Sequence, residues 1–82
     1  MIDKALLRQK VREVLALVPA KRICTLAMLR DGMRRLIPFE ATTEEIDEAI
    51  EWNASKGFID YRHDSEAEVD SYFLTERGRA RE

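Results

Sequence analysis

No second cysteine accompanies Cys24 in this 82-residue chain, so no internal disulfide can brace the fold, and a reducing, cytoplasmic setting is the expectation. Histidine is as scarce: His63 stands alone, distant in sequence from Cys24, and the pair falls short of a zinc ligand set. The three glycines are isolated at Gly32, Gly57 and Gly78, which leaves no glycine-rich loop to cradle a phosphate. No apolar run approaches the roughly 20 residues that a bilayer span needs. Charges inside the apolar residues 1–8 argue against a secretory signal. His63, Asp64 and Ser65 are neighbours in sequence, but a hydrolytic triad is assembled by tertiary geometry, not by adjacency. No cofactor, metal or catalytic set is expected.

Charge is what the chain has in quantity. Charged residues make up 37% and apolar ones 45%, the balance of a soluble globular domain rather than a disordered chain. The length supports one domain, residues 1–82. The net charge of −2 conceals a division. Residues 1–39 hold nine bases and three acids, whereas residues 40–82 hold five bases and thirteen acids. Such a molecule is dipolar, as an interaction module would be.

Periodicity divides the chain into elements. A first amphipathic helix is expected over residues 4–18, capped by Asp3, with Leu7, Val11, Val14, Leu15 and Val18 inward and Lys4, Arg8 and Arg12 on another face. Pro19 ends it. The stretch Arg22-Ile23-Cys24-Thr25 has the composition of a brief strand, and Thr25 can cap a second helix over residues 26–37. That helix uses Leu26, Leu29, Met33 and Leu36 or Ile37, and a bend or stop is expected at Gly32. After a turn at residues 38–41, Thr42 or Thr43 is expected to cap a third helix, and Thr42 with Glu45 fits the capping-box pattern. Ile46, Ala49, Ile50 and Asn53 face its core side, and Gly57 supplies the left-handed stop. Residues 58–62 and 71–75 then read as strands of a hairpin with an acidic tip at residues 63–70.

Three helices and a hairpin is the order of a winged helix-turn-helix, an α+β fold. Two segments strengthen the likeness. Ser55-Lys56-Gly57-Phe58-Ile59 and Tyr72-Phe73-Leu74-Thr75-Glu76-Arg77-Gly78-Arg79-Ala80 resemble signatures of small bacterial and phage winged-helix transcription regulators. In the hairpin, Ile59, Tyr61, Tyr72 and Leu74 can line the inner face, and Thr75 can cap the final turn. The resemblance implies a recognition helix at residues 42–55 entering the major groove and a wing at residues 63–70.

The charges oppose that docking. The outer face of the third helix carries Glu44, Glu48 and Glu51, with Asp47 and Trp52 on its flanks, and the wing carries Asp64, Glu66, Glu68 and Asp70. Duplex affinity comes mainly from neutralising phosphates with lysine and arginine. The candidate nucleic-acid contacts are therefore Lys21, Arg22, Arg30, Arg34 and Arg35 on and before the second helix. The candidate protein-partner surface is Glu44, Glu48, Glu51 and Trp52, the tryptophan being an anchor for a partner. Two functions stand side by side: a small DNA-binding regulator, favoured by analogy of fold, and a winged helix adapted to bind protein, favoured by charge. With no long helix after Ala80, a dimer would use another surface, such as the Leu6 and Leu17 flank of the first helix.

Overall fold

The computed structural model describes residues 3–19 and 22–81. The elements run α1 Lys4–Leu17, α2 Leu26–Leu36, α3 Thr43–Ser55, β1 Ile59–Asp64, β2 Val69–Leu74 and α4 Glu76–Arg81. Three helices followed by an antiparallel hairpin and a short C-terminal helix make an α+β, winged-helix-like arrangement.

Each helix begins where a side chain takes up the free amide groups of its first turn. The Asp3 carboxylate accepts from the Leu6 amide at 3.1 Å, and Thr25 Oγ1 accepts from the Met28 amide at 3.2 Å. At α3 the exchange is reciprocal: Thr42 Oγ1 accepts from the Glu45 amide at 3.1 Å, and Glu45 Oε1 from the Thr42 amide at 2.9 Å. The end of α3 is a Schellman turn. Gly57 takes φ +78°, the Phe58 amide bonds the Asn53 carbonyl at 3.0 Å, and the Gly57 amide bonds the Ala54 carbonyl at 3.1 Å. That turn reverses the chain from helix into wing.

The apolar stripes meet in one core. Leu7, Val11, Val14 and Leu15 of α1 pack with Leu29 and Met33 of α2, Ile46, Ala49 and Ile50 of α3, and Ile59 and Leu74 of the hairpin. Ile37 rather than Leu36 supplies the last contact from the α2 segment, and Leu36 is exposed. Arg12 departs from the expected outward basic face. It is buried, and its Nη1 donates to Asn53 Oδ1 at 2.9 Å and to the Arg8 carbonyl at 3.2 Å. Asn53 answers by donating to the Arg8 carbonyl at 3.0 Å, which ties α1 to α3 through a polar link inside the core.

Four further expectations are corrected. Helix α2 runs unbroken through Gly32, where an added Cβ would lie 2.8 Å from Val14 Cγ1, so the glycine serves the close approach of α1 and α2. Arg22–Thr25 forms no strand: Cys24 docks on β2 by one backbone bond, Tyr72 amide to Cys24 carbonyl at 2.8 Å, with Ser71 Oγ accepting from the Cys24 amide at 3.1 Å. The wing also pairs further out than expected, since His63 faces Asp70 and Asp64 faces Val69, leaving only residues 65–68 as the turn. Asp64 Oδ1 closes that turn by accepting from the Glu66 and Ala67 amides at 2.9 and 3.0 Å. On the inner face Ile59 and Leu74 are buried as expected, whereas Tyr61 is exposed and stacks beside Tyr72 with ring centroids 5.6 Å apart.

The last element is locked by shape. Thr75 Oγ1 caps α4 by accepting from the Gly78 amide at 3.1 Å, and a Cβ on Gly78 would fall 2.0 Å from the Phe58 carbonyl oxygen. Only a glycine lets α4 lie this close to the start of the wing. Among the described residues no helix is long and apolar enough to cross a membrane.

Candidate nucleic-acid interface

The arginines of α2 do not form one open patch. Arg30 is half-buried and grips Asp47 of α3 with a two-pronged contact, Nε to Oδ1 at 2.8 Å and Nη2 to Oδ2 at 2.7 Å. The Asp47 hydrogen bond raises the Arg30 pKa above its ordinary value, against the lowering effect of desolvation. This guanidinium is committed to holding α2 on α3. Arg34 donates to Thr43 Oγ1 at 2.7 Å but is exposed, and Arg35 makes a solvent-exposed pair with Asp31 at 3.1 Å. Both also sit in the last turn of α2, where cations complement the helix dipole.

Arg22 is separate from these. It lines a groove of about 580 Å³ beside the wing, together with Arg62 and Arg79 and the apolar Leu15, Val18 and Ile23. Lys21 lies outside the described residues.

The acidic face of α3 is as expected. Glu44, Glu48 and Glu51 are exposed, and Glu48 lies 3.5 Å from Lys4 in a loose pair. Trp52 is half-buried and its ring carries cations: Arg8 lies over it at 4.5 Å and Lys56 at 5.7 Å. Its other neighbour is Phe58, with ring centroids 5.8 Å apart. Three more arginines surround Phe58, namely Arg12, Arg77 and Arg81 at 5.4, 5.6 and 5.5 Å from the ring centroid. Two aromatic rings thus gather five cations where α1, the end of α3 and α4 meet.

Sequence reading missed this cluster. A signal was present: Arg8 with Arg12, and Arg77 with Arg81, are each spaced i,i+4 and share a helix face. What could not be seen was that α4 folds back onto Phe58.

Other reactive groups offer little chemistry. Cys24 is buried, and desolvation raises its thiol pKa. His63 Nδ1 lies 3.0 Å from Asp70 Oδ1 in an exposed cross-strand pair. Among the described residues no three His, Cys, Asp or Glu side chains are placed to hold a metal ion. Comparison of the chain with protein-family models, with curated proteins and with solved structures gave no match.

Proposed function

We propose that this chain is a non-catalytic DNA-binding module of the winged-helix transcription-regulator type, which holds duplex DNA mainly through the phosphate backbone and without inserting α3. The observation that carries the reading is the separation of charge in a winged-helix-like frame. The exposed face of α3 bears Glu44, Glu48 and Glu51, while the exposed cations among the described residues, Lys4, Arg22, Arg34, Arg35, Lys56, Arg62, Arg77, Arg79 and Arg81, all lie off α3 or just beyond its end. A duplex approaching along α3 meets three carboxylates; approached from any basic side, it meets groups that neutralise phosphate. Such binding is strongly salt-dependent and weakly sequence-dependent.

The test is anisotropy of a labelled mixed-sequence duplex titrated with the protein over a salt series. The reading predicts a straight line of log affinity against log salt with a slope of about −0.9 per phosphate neutralised. No binding even at low salt refutes it. A second reading has its own support. Glu44, Glu48 and Glu51 recur at i, i+4 and i+7 and form an open acidic stripe. That stripe fits a basic segment of a partner protein, and capture of an oligolysine peptide that is lost on Glu→Gln replacement of all three would favour it.

A further inference from the structure

We infer that the backbone-docking surface is the cation cluster built on Trp52 and Phe58, so that the duplex lies against α1, α4 and the end of α3. The inference rests on the DNA-binding reading and names its surface.

Three observations converge. The first is crowding: Arg8, Arg12, Lys56, Arg77 and Arg81 all contact one aromatic pair whose centroids are 5.8 Å apart. Like charges gathered around one ring pair repel, and a polyanion laid across them offsets the repulsion.

The second is how the chain treats its cations elsewhere. Lys4, Lys10, Arg30 and Arg35 each pair with an acid, Glu48, Glu13, Asp47 and Asp31 respectively. Among the described residues Arg8, Lys56, Arg77 and Arg81 make no such pair, although Glu51 adjoins Trp52 and Glu76 adjoins Arg77 in sequence. Neither do Arg22, Arg34, Arg62 and Arg79, but only the first four gather on one pair of touching rings. A ring attracts a cation without taking up its N–H donors through a carboxylate, so the donors stay able to bind phosphate oxygens.

The third observation selects backbone over bases. Trp52 is half-buried, with Arg8 over its ring at 4.5 Å, and Phe58 is buried. Neither ring offers an open face on which a nucleobase could stack. What reaches solvent is the cationic edge of the cluster: Lys56, Arg77 and Arg81 are exposed. The ligand matched to it is a phosphodiester chain, read by charge and spacing.

The experiment measures salt dependence of duplex binding for the whole chain, for the cluster variant Lys56→Gln/Arg77→Gln/Arg81→Gln, and for the α2 variant Arg34→Gln/Arg35→Gln. Loss of three phosphate contacts should flatten the slope by about 2.7, so that the affinity drop between about 50 and 200 mM salt shrinks by about 40-fold. The α2 variant should keep the wild-type slope. Arg77→Lys/Arg81→Lys, which retains charge while losing the planar group, should keep most of the slope too, an outcome that a purely structural role for the two side chains would not give. Should the triple variant unfold, Lys56→Gln alone, outside α3 and exposed, should flatten the slope by about 0.9. An unchanged slope in the cluster variants with a flattened one in the α2 variant overturns this surface and leaves the DNA-binding reading standing. Absence of wild-type binding at low salt ends both. Polyglutamate that binds as tightly as the duplex at equal charge overturns it too, by showing a surface for acidic polypeptide.

Discussion

The polar link inside the core is the sharpest test of how α1 and α3 are joined. Asn53 is 0% exposed and Arg12 8% exposed. Replacing Asn53 with alanine removes an acceptor for a buried guanidinium, a bond worth roughly 1.5–3 kcal/mol, and a donor to the Arg8 carbonyl worth roughly 1 kcal/mol. With the small cavity left behind, the expected loss is about 3–5 kcal/mol, a large part of the roughly 5–15 kcal/mol that such a domain possesses. Arg12→Met should cost a comparable amount, because it leaves the buried Asn53 oxygen without that donor. The double variant Arg12→Met/Asn53→Leu replaces both partners by apolar groups and should recover most of the loss, ending within about 2 kcal/mol of the parent. Urea unfolding followed by the fluorescence of Trp52, the one tryptophan, measures all four corners of the cycle. Single losses below about 1 kcal/mol, or a double variant no better than the sum of the singles, would refute the claim that the two side chains act as a buried pair.

Other consequences follow from the packing. Ile50→Ala, cut from the centre of the α3 core face, should destabilise by about 2–5 kcal/mol in the same urea assay, and a loss below about 0.5 kcal/mol would place that face outside the core. Gly78→Ala should displace α4, since its Cβ would fall 2.0 Å from a backbone oxygen; protease cleavage near residues 75–81 should then rise well before global unfolding, and unchanged resistance would contradict the close approach. The buried Cys24 thiol has a raised pKa, so its protonated form favours the folded state. The stability it contributes is whole below the thiol's unfolded pKa and falls as pH rises toward and through the folded one. Iodoacetamide labelling at pH 8 should therefore track unfolding and speed up with urea, and rapid labelling of native protein would contradict the burial.

Much of the architecture was legible because its signals are local. Asp3, Thr25, the Thr42–Glu45 box and Gly57 mark helix ends through bonds made within a few residues, and the inward stripes follow from helical period alone. Errors arose where a distant contact decides. Arg12 reads as a surface base until Asn53, 41 residues on, gives it a buried acceptor. Gly32 reads as a helix breaker because Val14, which needs the space, lies on another helix. Residues 22–25 have strand-like composition, yet Cys24 meets β2 through one backbone bond to Tyr72 and one to the Ser71 hydroxyl, and no ladder forms. The charge sets follow the same division. The acids of α3 were legible by period, but Arg30 on Asp47 and the gathering of α1 and α4 cations on Trp52 and Phe58 depend on tertiary docking.

The central claim, that a duplex is held without insertion of α3, meets its most direct test in one binding measurement. The variant Glu44→Gln/Glu48→Gln/Glu51→Gln removes three exposed charges from the face that a recognition helix would present. Anisotropy titrations of this variant and its parent are made on two labelled duplexes of different sequence at the same salt. If α3 stays outside the groove, the variant binds both duplexes as tightly as the parent or more so, with the ratio of the two affinities unchanged. Weaker binding, or a ratio shifted by the roughly 1–3 kcal/mol that a lost base contact carries, would place α3 in the major groove and contradict the account.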